Sequence, residues 1–229
     1  MDRLVLFDVD NTLLYSGGAG SLAMNRAFHE VFGIGDGFRD VEFTGRTDMA
    51  ILREALARWA PLLDGSFPQA LEQFKESYFR HLAITLHETT GRVMPGISDL
   101  LPVLEAREQV RLGLATGNFR QGAMMKLAHY GLEHFLKEGG FGEDAEDRAV
   151  VVELAIRRVA KGDPLPRGNR SVYVVGDTPL DIAAAKANGA WAVAVATGPR
   201  SPAELQEAGA DLVFPDLSDT QSVVRALLG

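Results

Sequence analysis

The chain has 229 residues, 46% hydrophobic and 24% charged, with no cysteine and a formal net charge of −8. The acidic balance argues against nucleic acid or an anionic membrane surface as a partner, and the lack of cysteine excludes disulfide and thiol chemistry. No apolar run nears the ~20 residues that cross a bilayer, and Met1-Asp2-Arg3 does not open a signal peptide, so a cytoplasmic protein is expected.

The first element is the apolar run Leu4–Phe7, read as a buried strand that ends on Asp8-Val9-Asp10-Asn11-Thr12. Gly17-Gly18-Ala19-Gly20 reads as a hinge, and residues 21–32 then repeat at helical spacing and stop at Gly33. Helices are expected at 47–59 and 67–88, with Pro61, Asp64 and Gly65 in the loop between them and a short strand near Val41–Phe43. From Pro95-Gly96 the pattern changes. Helices at 97–106, 119–130, 145–160, 179–188, 202–208 and 218–228 alternate with strands at 110–115, 172–175, 191–196 and 212–214. This alternation predicts an α/β fold, a Rossmann-like doubly wound parallel sheet covered on both faces. The helical block interrupts it. Residues 1–16 and 91–229 are therefore expected to form the core, and residues 17–90 an inserted all-helical cap.

In such sheets ligands bind beyond the carboxyl ends of the strands. Three ends carry chemistry here: Asp8-Val9-Asp10, then Thr116-Gly117-Asn118, then Gly176-Asp177-Thr178-Pro179-Leu180-Asp181. Asp8 and Asp10 share a face if the chain stays extended, and two adjacent carboxylates call for a cation or a shared proton. A hard cation with oxygen ligands, such as Mg²⁺, suits the set Asp8, Asp10, Asp177 and Asp181. Capping accounts for part of the pattern. Thr178 with Pro179 and Asp181 reads as a helix start, and Asn118 with Gln121 reads as another. A free helix N-terminus there would also bind an anion.

Phe7-Asp8-Val9-Asp10-Asn11-Thr12-Leu13-Leu14, Ala115-Thr116-Gly117-Asn118 and Gly176-Asp177-Thr178-Pro179-Leu180-Asp181 resemble the first, second and fourth motifs of the haloacid dehalogenase-like superfamily. The resemblance covers essentially the whole chain, and the helical insert is similar to the cap of phosphoglycolate phosphatase-like members. It implies a Mg²⁺-dependent phosphatase acting on a small phosphorylated metabolite, phosphoglycolate among the candidates. By it, Asp8 is the nucleophile that forms an aspartyl-phosphate and Asp10 the general acid and base. Thr116, with backbone N–H groups around Gly117 and Asn118, holds the phosphoryl group. The metal falls to Asp8, the backbone carbonyl of Asp10 and Asp177, with Asp181 in support. A phosphoglucomutase-like transfer shares these residues. A haloacid dehalogenase-type reaction lacks the second acid, so Asp10 speaks against it.

The third motif departs from its commoner form, because no Lys-Pro pair precedes the fourth. Arg148 stands at about the expected spacing and is taken as the catalytic cation, ahead of Arg157, Arg158, Lys161, Arg167 and Arg170. The alternative is a solvated i,i+4 pair with Asp144. In the cap, Phe43-Thr44-Gly45-Arg46-Thr47-Asp48 reads as a helix start capped by Thr44 or Thr47. It also reads as a substrate loop that brings Arg46 to an anionic leaving group. The five histidines are expected to be structural or at the surface, and the protein a monomer or homodimer.

Overall fold

The computed structural model describes residues 3–59, 67–162 and 171–229. The loop with Pro61, Asp64 and Gly65, and the candidates Arg167 and Arg170, lie outside them. Among the described residues six parallel strands form the main sheet: β1 (Arg3–Phe7), β4 (Val110–Ala115), β5 (Gly139–Gly140), β6 (Val172–Gly176), β7 (Trp191–Val195) and β8 (Leu212–Phe214). Their order is β5-β4-β1-β6-β7-β8. The chain leaves the central strand β1 toward β4 and β5, then returns to build β6 to β8 on the other side. The carboxyl end of β1 is thus the point where the winding reverses, the usual place for a ligand in an open sheet.

Side chains alternate across β1 as strand geometry requires. Val5 and Phe7 join one apolar cluster, Leu4 and Leu6 the other. The first cluster is closed by α4 (Ile97–Glu105), α5 (Arg120–His129) and α9 (Thr220–Leu228), through residues such as Leu101, Leu127 and Leu227. The second is closed by α6 (Arg148–Val159), α7 (Pro179–Ala187) and α8 (Pro202–Glu207), through Val152, Ile182 and Leu205. The expected doubly wound core is present. Among the described residues no helix is long and apolar enough to cross a membrane.

The helices α1 (Ala19–Phe32), α2 (Asp48–Trp59) and α3 (Phe67–Glu88) gather around a third cluster that includes Phe28, Phe74 and Tyr78. Phe119, from the loop after β4, completes that cluster. The chain enters and leaves the helical block through a two-stranded antiparallel ribbon, β2 (Leu14–Tyr15) against β3 (Arg92–Val93). Neither ribbon strand nor β5 follows from the sequence pattern, since two residues are too few for a period.

The strand expected near Val41–Phe43 is a loop, preceded by Asp36 and Asp40 in left-handed conformations that a strand does not accept. The helix expected from Ala145 starts instead at Arg148, because Asp147 takes an extended conformation and its side chain caps Ala149 N–H. That shift places Arg148 in the first turn.

Candidate active site

Asp8 leaves the end of β1 buried, with its N–H donating to Val175 carbonyl at 2.9 Å. Arg148, first residue of α6, lies against it: Nη2 is 2.9 Å from Asp8 Oδ1 and 2.5 Å from Asp181 Oδ1. Its Nε also donates to Asp181 at 2.8 Å, and Nη1 donates to the cap-loop carbonyl of Gly45 at 3.1 Å. The solvated pair with Asp144 does not form; Asp144 is bridged by Arg158 at 2.5 Å. Burial works to lower the Arg148 pKa, but the carboxylates of Asp181 and Asp8 outweigh it and raise the pKa, so the guanidinium stays charged.

Asp181 uses both oxygens. One takes the Arg148 bonds and the other accepts from Thr178 N–H (3.1 Å) and Oγ1 (2.6 Å), closing the expected capping box of α7. Asp177 differs. It is buried at the end of β6, and its Oδ2 has no hydrogen-bond partner among the described residues. Gly198 stands directly against that oxygen, where a Cβ would collide with it. Burial first, then the charges of Asp181 and Asp8, push the Asp177 carboxyl up to about 8. Burial likewise raises Asp8 to about 6, with Arg148 opposing it.

Asp8, Asp177 and Asp181 each offer an oxygen, and these atoms lie within 4.8 Å of one another. An orphaned carboxylate oxygen at such a depth is costly unless a proton or cation meets it. Three hard oxygen donors, with the proton affinity of Asp8 and Asp177 raised, fit a small divalent cation such as Mg²⁺. Asp177 has an oxygen to give, whereas Asp181 is already committed to Arg148 and Thr178 and serves better as their anchor.

The carboxylate of Asp10 stands outside that cluster. Lys126, on α5 and only 3% exposed, holds it with Nζ 2.9 and 2.6 Å from its two oxygens. Asn118 Nδ2 donates to Asp10 (2.9 Å) and to Thr116 Oγ1 (2.9 Å), while Asn118 Oδ1 accepts from Lys126 (2.6 Å). The expected helix cap by Asn118 is therefore absent: α5 starts at Arg120 with no side-chain cap. The network around Asp10 takes the amide instead. Thr116 is fully buried behind Asn118, and its hydroxyl serves as an acceptor for both Asn118 groups.

The cap meets this site along one loop. Thr47 caps α2 through Ala50 N–H (3.2 Å) and donates to Glu146 carbonyl (3.2 Å). Asp48 N–H donates to Gly117 carbonyl (2.7 Å), and its Oδ2 accepts from Phe119 N–H (2.8 Å). Gly117 has no room for a side chain, since a Cβ would strike the Arg46 carbonyl. Arg46 lines the cavity between cap and core, yet its guanidinium pairs with Glu54 at 2.6 Å and donates to the Glu42 carbonyl at 3.2 Å. The cavity encloses about 260 Å³ and is also lined by Asp8, Asp10, Asp48, Tyr78, Lys126 and Asp177.

Lys126 and Tyr78 escaped the sequence reading, and Asp48 entered it only as the end of the Phe43–Asp48 loop, with no role of its own. A usable signal existed for Lys126. It shares the buried face of α5 with Gly122, Ala123 and Leu127, where a lysine is out of place without a partner.

A family model described as haloacid dehalogenase-like hydrolase matches residues 3–189. No curated protein matches the chain. Among solved structures, a hydrolase from Pseudomonas syringae is 22% identical with a TM-score of 0.72 and covers 100% of both chains. A predicted phosphoglycolate phosphatase from Haemophilus somnus is 19% identical with a TM-score of 0.68, covering 97% of this chain and 98% of its own. A β-phosphoglucomutase from Clostridium difficile is 18% identical with a TM-score of 0.70, covering 96% of this chain and 93% of its own. At these identities the likeness is one of fold.

Proposed function

Because the chain belongs to the haloacid dehalogenase-like hydrolase family, we propose that it is a Mg²⁺-dependent phosphatase of small phosphorylated metabolites. One observation supports this reading most directly. The two neighbouring acids are held differently, Asp8 buried against Arg148 and Asp10 half-exposed to the cavity beside Lys126. A nucleophile and a proton carrier need such a division.

In the proposed reaction an Asp8 oxygen attacks phosphorus and the bond to the leaving oxygen breaks. Asp10 delivers a proton to that oxygen. Asp10 then takes a proton from water as it attacks the aspartyl-phosphate, which frees phosphate and restores Asp8. Thr116 and the backbone around Gly117 and Asn118 hold the phosphoryl oxygens. Arg148 keeps positive charge beside Asp8 and along the cavity that receives the phosphoryl group. Bound Mg²⁺, held by Asp8 and Asp177, would neutralise phosphoryl charge.

The test is phosphate release from a panel of phosphorylated metabolites, phosphoglycolate and sugar phosphates included, with Mg²⁺ or with excess chelator. Release should require the metal and vanish in Asp8→Asn. Near-normal turnover by that variant, or full activity in chelator, would sink the assignment. Free phosphate as the product also separates hydrolysis from transfer of the group between positions of one sugar.

A further inference from the structure

We propose that the chamber beyond Asp10 selects phosphate esters of neutral, hydroxylated alcohols and rejects leaving groups that carry a carboxylate or a second phosphate. The inference rests on the phosphatase reading and narrows it to a substrate class.

The cavity has three cations among its described lining residues, Arg46, Lys126 and Arg148. Each is spent. An ammonium has three N–H bonds, and those of Lys126 meet both oxygens of Asp10 and the carbonyl oxygen of Asn118. Arg148 divides its donors among Asp181, Asp8 and the carbonyl of Gly45. Arg46 points its guanidinium at Glu54 and at the carbonyls of Glu42 and Ala50. A second anion on the substrate would find among them no cation that is not already paired with a carboxylate.

The groups that remain are of the opposite character. Asp48 lines the cavity, forms no ion pair among the described residues, and the hydrogen bonds described there use only one of its oxygens. Its carboxyl is pushed up to about 7, first by burial and with the charge of Asp10 contributing, although Lys126 opposes the rise. Another anion brought close would meet that same repulsion. Tyr78, 1% exposed, lines the same space, with Met24 and Ile51 as apolar wall. A carboxyl near half-ionisation and a phenol can each donate or accept, so a hydroxyl satisfies either protonation state. A purely apolar leaving group would leave them without partners.

Matched esters test this directly: 2-hydroxyethyl phosphate against phosphoglycolate, and glycerol 3-phosphate against 3-phosphoglycerate. Each pair differs only by CH₂OH in place of a carboxylate. With Mg²⁺ present, kcat/KM should favour the neutral member at least about tenfold in both pairs, the scale of one well-placed contact. Asp48→Asn keeps an acceptor for Phe119 N–H but removes the charge, so the gap should narrow at least about threefold in that variant. Equal rates, a preference for the carboxylates, turnover of p-nitrophenyl phosphate with neither pair hydrolysed, or an unchanged gap in folded Asp48→Asn would overturn the inference. Failure to release phosphate even from p-nitrophenyl phosphate would instead overturn the phosphatase reading, and this one with it.

Discussion

The ammonium of Lys126 sits astride the carboxylate of Asp10, 2.9 and 2.6 Å from its two oxygens, and reaches the amide oxygen of Asn118 as well. One side chain from α5 thereby fixes the direction in which the second acid of the site faces. Lys126→Met keeps the length and loses the grip. On alkyl phosphates kcat should fall roughly tenfold to a hundredfold, part of what a positioned acid supplies. p-Nitrophenyl phosphate, whose leaving group needs little protonation, should lose much less. An equal loss on both would mean that Lys126 serves the fold and not Asp10. Stability should drop by about 1.5–3 kcal/mol, the scale of a charged hydrogen bond.

Arg148 bridges two carboxylates at once, Asp8 and Asp181, and is itself buried. Removing a buried partner leaves charge uncompensated, so Arg148→Met should cost about 3–5 kcal/mol in denaturant unfolding without metal. Arg148→Lys keeps the charge but not the planar fork that spans Asp181, Asp8 and Gly45 carbonyl. It should retain activity within about tenfold, whereas the methionine variant loses roughly a hundredfold or more. If the two variants lose activity equally, charge is not what Arg148 contributes.

The carboxyls of Asp8, Asp48 and Asp177 lie above their ordinary range, at about 6, 7 and 8. The folded chain then binds protons that the unfolded chain has released between ordinary carboxyl values and these raised ones. Stability is therefore fullest in acid and is lost as pH rises through that window. In chelator, Tm should fall from about pH 5 to about pH 8. A cation that takes the place of the protons should restore more at the alkaline end. With Mg²⁺ at ~100 times its Kd, the upshift should reach about 5–11 °C for a chain of this size. An upshift that shrinks as pH rises would contradict a metal held by Asp8 and Asp177.

Gly117 carries the Arg46 carbonyl where a side chain would begin, and its own carbonyl accepts from Asp48 N–H at 2.7 Å. Backbone faces backbone there, so neither side can yield cheaply. Gly117→Ala should destabilise by about 1–3 kcal/mol and raise KM more than it lowers kcat, because it pushes the cap loop off the core. A thermal melt and steady-state kinetics on one substrate would decide it.

What the sequence discloses depends on how local the determinant is. Asp8, Thr116 and Asp177 follow apolar runs of strand length, and parallel strands bring their carboxyl ends together, so both the fold and these residues can be read directly. Arg148 is readable by spacing, but its partners are not, since Asp144 stands at i−4 while Asp8 and Asp181 are distant in the chain. Asn118 has two competing attractions, a nearby helix end and a remote network, and the remote charges of Asp10 and Lys126 prevail. Asp48 and Tyr78 reach the site only because the cap folds over it, a relation that no local period encodes. Arg46 illustrates the converse. The loop position is legible, but Glu54, eight residues on and within α2, takes the guanidinium.

The ribbon between Leu14–Tyr15 and Arg92–Val93 carries a further consequence. Ser16 carbonyl accepts from Thr89 Oγ1 at 2.7 Å, so the insert begins and ends at nearly the same point in space. A segment with touching ends can be exchanged for another of different length without rethreading the sheet, since closure entropy grows only slowly with loop length. The proposed catalytic acids lie at the end of β1, while Asp48 and Tyr78 of the proposed selecting surface belong to the insert. A replacement spliced at this seam would again have to offer a hydrophobic seat for Phe119.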